Sequence, residues 1–157
     1  LQLAEELRQG MDWQTLTERR VPWLIQNTFP FFSVDTLEYL QKGGRIGKVT
    51  AMAGTMLQIK PLITFAADGQ LQSIAKVRGR NLVIRKLIEL VTQSHNGAAR
   101  YNLAVANGGA PAEMEVLQGK LTTALPNYDH IWSGELDGTL SVYIGDGVLG
   151  AAVQRLE

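Results

Sequence analysis

The sequence contains no cysteine and only two histidines among its 157 residues. Without cysteine the chain forms neither disulfides nor a catalytic thiolate, and cysteine-ligated zinc is excluded. Any metal cluster would have to consist of carboxylates throughout. The composition therefore favours a reduced, cytoplasmic setting and predicts no metal and no other cofactor.

An excess of charge of either sign is also lacking, because 15 Lys and Arg residues balance 15 Asp and Glu residues. No positive field is available to attract phosphate backbones or anionic lipid headgroups, so neither nucleic acid nor a membrane surface is an expected partner. Long apolar runs are missing as well. A run such as residues 21–25 is far shorter than the roughly 20 residues of a transmembrane helix, so stable membrane insertion is not expected.

The residues that are present have a globular composition, with 45% hydrophobic and 19% charged residues, and the length suits one compact core. The first residue is not methionine, and Leu1, Leu3, Ala4 and Leu7 already place an apolar stripe on a helix. We therefore interpret residues 1–28 as a helical segment that continues from a missing N-terminal domain. Residues 29–157 are interpreted as the domain that follows.

Turn residues and apolar periodicity divide the chain into helices and strands. Asp12 is the predicted N-cap of a second helix, Pro22 predicts a kink or a new helix start, and Asp35 is the predicted cap of a helix that ends at Gly43. Asp68-Gly69 predicts a two-residue hairpin turn. Strands are predicted at 29–34, 62–66, 71–77, 101–106, 131–136, 139–144 and 148–153, with longer helices at 78–93 and 110–125.

Because a hairpin interrupts the alternation of strands and helices, the predicted class is α+β, of an α/β-like kind. The expected architecture is a mixed β-sheet with a β-hairpin, packed by helices. Small residues alternate with Val49, Met52 and Met56 over 46–57, which predicts a helix that lies close to another surface.

Three segments resemble the DegV family of bacterial fatty-acid carriers. Ser33-Val-Asp-Thr-Leu-Glu-Tyr-Leu-Gln-Lys-Gly-Gly-Arg-Ile46 resembles its signature, in which a strand runs into a helix that ends in Gly-Gly-Arg-Ile. Thr55-Met-Leu-Gln-Ile-Lys-Pro-Leu-Ile63 is similar to its small-residue helix and Lys-Pro strand, and Lys76-Val-Arg-Gly-Arg80 to its Arg-Gly-Arg segment. The resemblance covers residues 1–153 and is most specific from Ser33 to Arg80.

The resemblance implies that residues 29–157 form the C-terminal lipid-binding domain of a DegV-type two-domain fold. Family members hold one long-chain fatty acid in a tunnel between two domains and present it to a separate fatty-acid kinase. A cytoplasmic carrier is therefore expected, not an enzyme. The alternative is a structural or interaction domain that has lost ligand binding with its N-terminal half. A face left uncovered by the missing half is expected to be apolar and to be covered by formation of a homodimer.

Seven residues are the candidate ligand-binding residues. Where the family has His-Thr-Gly-Pro-Gly-Ala-Leu-Gly, this sequence has Tyr143-Ile-Gly-Asp-Gly-Val-Leu-Gly150. Tyr143 either donates to a carboxylate or packs as a strand aromatic. The resemblance places Arg45 near the ligand mouth, where it would engage the kinase or its phosphate rather than the alkyl chain, and a surface salt bridge is the alternative. The apolar candidates either line an acyl tunnel or form ordinary core; they are Phe31, Phe32, Met52, Met56 and Phe65.

No catalytic residue is predicted. Gly43 to Lys48 lacks the spacing of a nucleotide phosphate loop, since three residues separate Gly43 from Gly47 and valine follows Lys48. His95 is interpreted as a helix cap. His130 adjoins Asp129 but has no nucleophile beside it, and Glu113 is interpreted as solvated.

Overall fold

A six-stranded mixed sheet forms the centre of the computed structural model, which describes residues 1–52 and 59–157. The strand order is β3-β2-β1-β6-β4-β5. Neighbouring strands are antiparallel except β4 and β5, which are parallel. The predicted α+β class is therefore confirmed. The strands are β1 (Thr28–Ser33), β2 (Ile59–Phe65), β3 (Leu71–Arg78), β4 (Tyr101–Gly108), β5 (Ile131–Glu135) and β6 (Val148–Arg155).

Helices lie on both faces of this sheet. The two long helices pack on one face, where their apolar side chains and those of the strands form the main core. Leu87 and Leu117 are fully buried in that core. The helices are α1 (Gln2–Arg8), α2 (Trp13–Thr15), α3 (Val21–Gln26), α4 (Glu38–Lys42), α5 (Arg80–His95), α6 (Pro111–Ala124) and α7 (Gly138–Ile144), with a π-helical turn at Leu16–Arg20 and a 3-10 helix at Gly47–Met52.

The N-terminal helices follow the sequence prediction closely. The Asp12 side chain accepts a hydrogen bond from the Thr15 backbone N–H at 2.9 Å, so Asp12 is the predicted N-cap. Pro22 lies in the first turn of α3, directly after the π-helical turn. The sequence predicted either a kink or a new helix start at Pro22, and the structure has the new helix start.

A buried ion pair holds α1 in place. Arg20 donates to both carboxylate oxygens of Glu6 at 2.6 to 2.9 Å and also donates to the Leu156 backbone carbonyl. Burial alone would raise the pKa of Glu6, but hydrogen bonds from Arg20 and Gln2, with the charge of Arg20, lower it below the ordinary value. Glu6 therefore stays ionised at neutral pH and ties α1 to the C-terminal end of β6.

The predicted hairpin is confirmed, and α5 packs on it as well as on β1 and β6. Its turn is longer than predicted. The Ala66 N–H donates to the Gln70 carbonyl at 2.8 Å, just beyond the ends of the two strands, and this pair encloses a loop of three residues, 67–69, instead of two. Gly69 has a φ of +79°, a left-handed conformation that suits the last position of a three-residue loop.

Gly69→Ala is therefore expected to lower the free energy of unfolding by about 1–2 kcal/mol, because a Cβ disfavours the left-handed conformation. Gly119→Ala provides a matched control. Gly119 lies inside α6 with open space around its Cα, so the same change should raise that free energy by about 0.5–1 kcal/mol. Urea denaturation of the two variants checks the opposite signs. Equal effects would contradict the loop assignment.

The strand predicted at 139–144 is wrong, because these residues belong to helix α7. Asp137 caps the helix, since its carboxylate accepts from the Leu140 N–H at 3.0 Å. Leu140, Tyr143 and Ile144 then repeat at helical spacing. The short apolar run resembled a strand, and the cap was the overlooked signal.

Asp35 is not the cap of α4, and Glu113 is not simply solvated. Leu37 occupies the N-cap position of α4. Asp35 instead forms ion pairs with Lys60 at 2.9 Å and Arg80 at 3.1 Å, and Arg80 also donates to both carboxylate oxygens of Glu113. This charged cluster joins the segment after β1 to the first turns of α5 and α6.

Candidate functional site

An apolar groove of about 830 Å³ lies on the sheet face opposite α5 and α6. Its volume is within the range of small-molecule binding sites. The floor consists of strand residues whose side chains are mostly small, which leaves the space above the sheet empty. Two rows of residues paired across β1, β6 and β4 form this floor, namely Phe32, Gly150 and Ala106 in the first row and Pro30, Ala152 and Ala104 in the second.

Short helices and the hairpin form the walls. These walls come from the end of α4 and the segment after it, from α7, and from the start of β3. Leu140 and Phe65 line the rim and are about half exposed, at 50% and 51%. The wall residues are Leu40, Gly44, Arg45, Gly47, Phe65, Gly69, Gln70, Leu71, Leu136, Thr139, Leu140, Tyr143 and Ile144.

Arg45 and Tyr143 meet at this groove. The Arg45 Cζ lies 5.2 Å from the centre of the Tyr143 ring, within the range of a cation–π contact, and Nη1 donates to the Gly43 carbonyl at 3.3 Å. Among the residues that the structure describes, no carboxylate pairs with Arg45. An exposed guanidinium and a phenol hydroxyl together suit the binding of an anionic group.

Gly43 explains how these two residues come together. A Cβ at this position would collide with the Tyr143 ring, so only glycine allows the end of α4 to approach α7 so closely. The Gly-Gly pair therefore ends α4 as predicted and also makes room for the aromatic ring. Tyr143 is a helix residue, and its interpretation as a strand aromatic does not apply.

The apolar candidates are placed differently from one another. Phe32 and Phe65 both line the groove, with ring centres 6.4 Å apart. Phe31 also lines the groove, as part of strand β1 in the floor, but its side chain belongs to the core beneath α5 on the other face. Met56 and the side chain of Met52 lie outside the described residues, as does the second half of the helix predicted at 46–57.

The histidines have structural contacts. His95 Nε2 lies 2.9 Å from the Ala98 carbonyl oxygen, so His95 closes the end of α5 as predicted. His130 lies 3.2 Å from a Glu5 carboxylate oxygen and stacks on Trp132. Within residues 1–52 and 59–157, no three His, Asp or Glu side chains gather in a way that could hold a metal ion. The helices in the same ranges include none that is both long and apolar enough to cross a membrane.

The small floor residues were missed by the sequence interpretation. In β4, Ala104 and Ala106 alternate with the large core residues Leu103 and Val105. In β6, Gly150 and Ala152 lie between the large core residues Leu149 and Val153. This alternation was the available signal, since a strand with one bulky and one small face leaves space on the small face.

A sequence model described as an uncharacterised protein of the DegV family matches residues 1–156. The chain belongs to the DegV family. A DegV domain-containing protein of Clostridium acetobutylicum is 33% identical over 150 residues, which cover 96% of this chain and 52% of that protein. Another, from Clostridium perfringens, is 30% identical and covers 99% of this chain and 54% of its own length. The chain thus spans about half the length of these DegV relatives.

Solved structures show the same fold. A fatty-acid-binding DegV family protein from Thermus thermophilus has a TM-score of 0.91 at 24% identity, covering 99% of this chain and 55% of that one. A stearic acid-binding protein from Eubacterium ventriosum has a TM-score of 0.82 at 24% identity, covering 98% and 53%. At these identities the likeness establishes the DegV fold for this chain.

Proposed function

We propose that this protein binds one long-chain fatty acid and acts as a carrier in the cytoplasm. The apolar groove beside Arg45 and Tyr143 is the observation that carries the proposal. In this arrangement the alkyl chain lies on the Ala104 and Ala152 side of the groove, and the carboxylate lies at Arg45 and Tyr143. The fatty-acid-binding DegV proteins of the same fold support the choice of ligand.

Burial of the alkyl chain supplies most of the binding free energy in this proposal. Each buried methylene contributes about 0.8 kcal/mol, so a long acyl chain provides ample driving force even after the costs of association. Arg45 and Tyr143 then fix the orientation, because hydrogen bonds to a charged group contribute about 1.5–3 kcal/mol each. Arg45 thereby binds the ligand itself, a more direct role than the one implied by the resemblance.

A carrier that presents the acid to a fatty-acid kinase fits this geometry better than an enzyme does. Among the residues that the structure describes, the groove has one cation, Arg45, and one phenol, Tyr143, at its polar end, and the proposal gives neither a nucleophilic role. After incubation with ATP and a fatty acid, this chain alone should form no acyl phosphate. Formation should require a fatty-acid kinase. Acyl phosphate produced by the chain alone would contradict the carrier proposal.

Extraction of the purified protein with organic solvent, followed by mass spectrometry, tests ligand binding directly. We expect one long-chain fatty acid per chain. An extract without fatty acid, together with no binding on adding the acid back, would favour the alternative of a structural domain. Sizing in the same preparation tests the expected homodimer, which stays a prediction.

Tyr143→Phe is expected to weaken fatty-acid binding about tenfold, because the change removes one hydrogen bond to a carboxylate and keeps the ring over which Arg45 lies. Tyr39→Phe is the matched control. Tyr39 lies on the neighbouring helix α4, is 44% exposed and packs against Gly145 instead of lining the groove. Fluorescence displacement titration of the two variants checks the difference. Unchanged affinity in Tyr143→Phe would leave packing as the role of Tyr143.

A further inference from the structure

A third row of residues crosses the same sheet face and is polar. Thr28, Gln154 and Asn102 are paired across β1, β6 and β4, directly beside the row that contains Ala152. The Gln154 amide donates to Thr28 Oγ1 at 3.0 Å and its carbonyl accepts from Asn102 Nδ2 at 3.3 Å. The floor therefore changes from apolar to hydrogen-bonded within two residues of β6.

Helix α1 fixes this polar row from above. Asn102 Nδ2 also donates to Gln2 Oε1 at 2.9 Å, and Gln2 Nε2 donates to Glu6 at 2.8 Å. Glu6 is in turn held by Arg20. Asn102 is 1% exposed and Gln2 is 9% exposed. The row is thus part of a hydrogen-bonded network that is buried at Asn102 and Gln2 and partly exposed at Thr28 and Gln154.

A second groove of about 430 Å³ begins on the other side of the row. Thr28 and Gln154 line this second groove, whereas Pro30 and Ala152 line the large one. Most other residues of the second groove are apolar and come from the N-terminal residue and from α1, α3 and β5. They are Leu1, Leu3, Val21, Leu24, Ile25 and Trp132. Gln2 lines this groove as well. One polar row therefore separates two apolar spaces on one sheet face.

We infer that Gln154 is a specificity-determining residue that sets how long an acyl chain the large groove accepts, an inference that rests on the proposed function. Gln154 is partly exposed, with one N–H and one carbonyl lone pair not used within the row. A methyl terminus that advanced past Ala152 would exclude water from these two groups without offering a hydrogen bond in return, which is unfavourable. The chain therefore stops at the row, and the second groove stays unused by the natural ligand.

Gln154→Leu tests this inference with little disturbance of the fold. The change replaces an amide by an apolar side chain of similar size, and both former partners keep other hydrogen bonds. Asn102 still donates to Gln2, and Thr28 Oγ1 still donates to the Leu24 carbonyl at 2.7 Å. The variant therefore makes the middle of the row apolar, so that the two grooves are no longer separated by the Gln154 amide. Its cost is one unpaired Nδ2–H on the buried Asn102, which loses its bond to Gln154.

The experiment measures dissociation constants of palmitic, stearic, arachidic and behenic acids for the full chain and its variants. In the wild type we expect affinity to stop rising with chain length within this series. In Gln154→Leu we expect it to continue rising, with behenic acid bound at least about tenfold more tightly than by the wild type, because further methylenes are buried. Gln93→Leu is the control, since Gln93 is exposed on α5 across the sheet.

An identical chain-length profile in the wild type and Gln154→Leu would overturn the inference while leaving the proposed function intact. No binding of any acid by the wild type would overturn the proposed function itself. Gln154→Met is a second variant in case Gln154→Leu does not fold, because it removes the amide and keeps the unbranched length of the side chain. It should shift the preference in the same direction by a smaller factor, and no shift in that variant would also count against the inference.

Discussion

Ala152→Trp is expected to abolish practical binding of a long-chain fatty acid, weakening it about 100-fold or more. Ala152 lies in the middle of the groove floor, paired with Pro30 on one side and Ala104 on the other. An indole at this position would occupy space that the proposal gives to the alkyl chain. Loss of three or four methylene contacts, at about 0.8 kcal/mol each, accounts for that factor. Isothermal titration with stearic acid provides the measurement.

Ala112→Trp is the matched control for that experiment. Ala112 is exposed on α6, on the far side of the sheet, so the same bulk is added without entering the groove. This variant should bind stearic acid like the wild type. Both variants should unfold at similar temperatures, because neither position is in the packed core. Normal affinity in Ala152→Trp would show that the alkyl chain lies elsewhere.

Leu87→Ala is expected to lower the free energy of unfolding by about 3 kcal/mol. Leu87 is 0% exposed and lies in the main core between α5 and the sheet, so truncation leaves a cavity that the rigid sheet cannot fill. Urea denaturation monitored by circular dichroism gives the value. The urea concentration at the unfolding midpoint should fall, whereas the slope of the unfolding free energy against urea concentration should stay unchanged.

Leu82→Ala serves as the control on the same helix. Leu82 is 36% exposed, so the same truncation removes less buried area and should cost well under half as much. Comparable losses of unfolding free energy in Leu82→Ala and Leu87→Ala would mean that α5 does not pack the face containing Leu87 against the sheet.

Local patterns predicted most of the framework. The hairpin followed from Asp68-Gly69, and α5 followed from its broad apolar face, which includes Leu87. Each of these signals consists of residues that are close together in the chain. Helix α7 was assigned wrongly because a seven-residue apolar segment fits either period, and only its Asp137 cap distinguishes the two.

The site was less accessible to sequence reasoning. Arg45 and Tyr143 were found through the family resemblance, but their stacking depends on Gly43 and on the unexpected helix α7. The groove floor depends on strand register, because Ala104 and Ala152 become neighbours only when β4 pairs with β6. The hydrogen bond between Gln2 and Asn102 likewise joins residues 100 positions apart. Such long-range contacts leave no local pattern in the sequence.

Paramagnetic relaxation from stearic acid that carries a nitroxide near its methyl end tests the central claim most directly. With alanine methyl groups labelled for NMR, the account predicts strong broadening of Ala104, Ala106 and Ala152, the alanines of the groove floor. Ala112 and Ala124 on α6 should be broadened far less than the floor alanines, because they lie beyond the sheet and so farther from the nitroxide. Broadening of the α6 alanines with intact floor signals, or no broadening at all, would contradict a fatty-acid site in this groove.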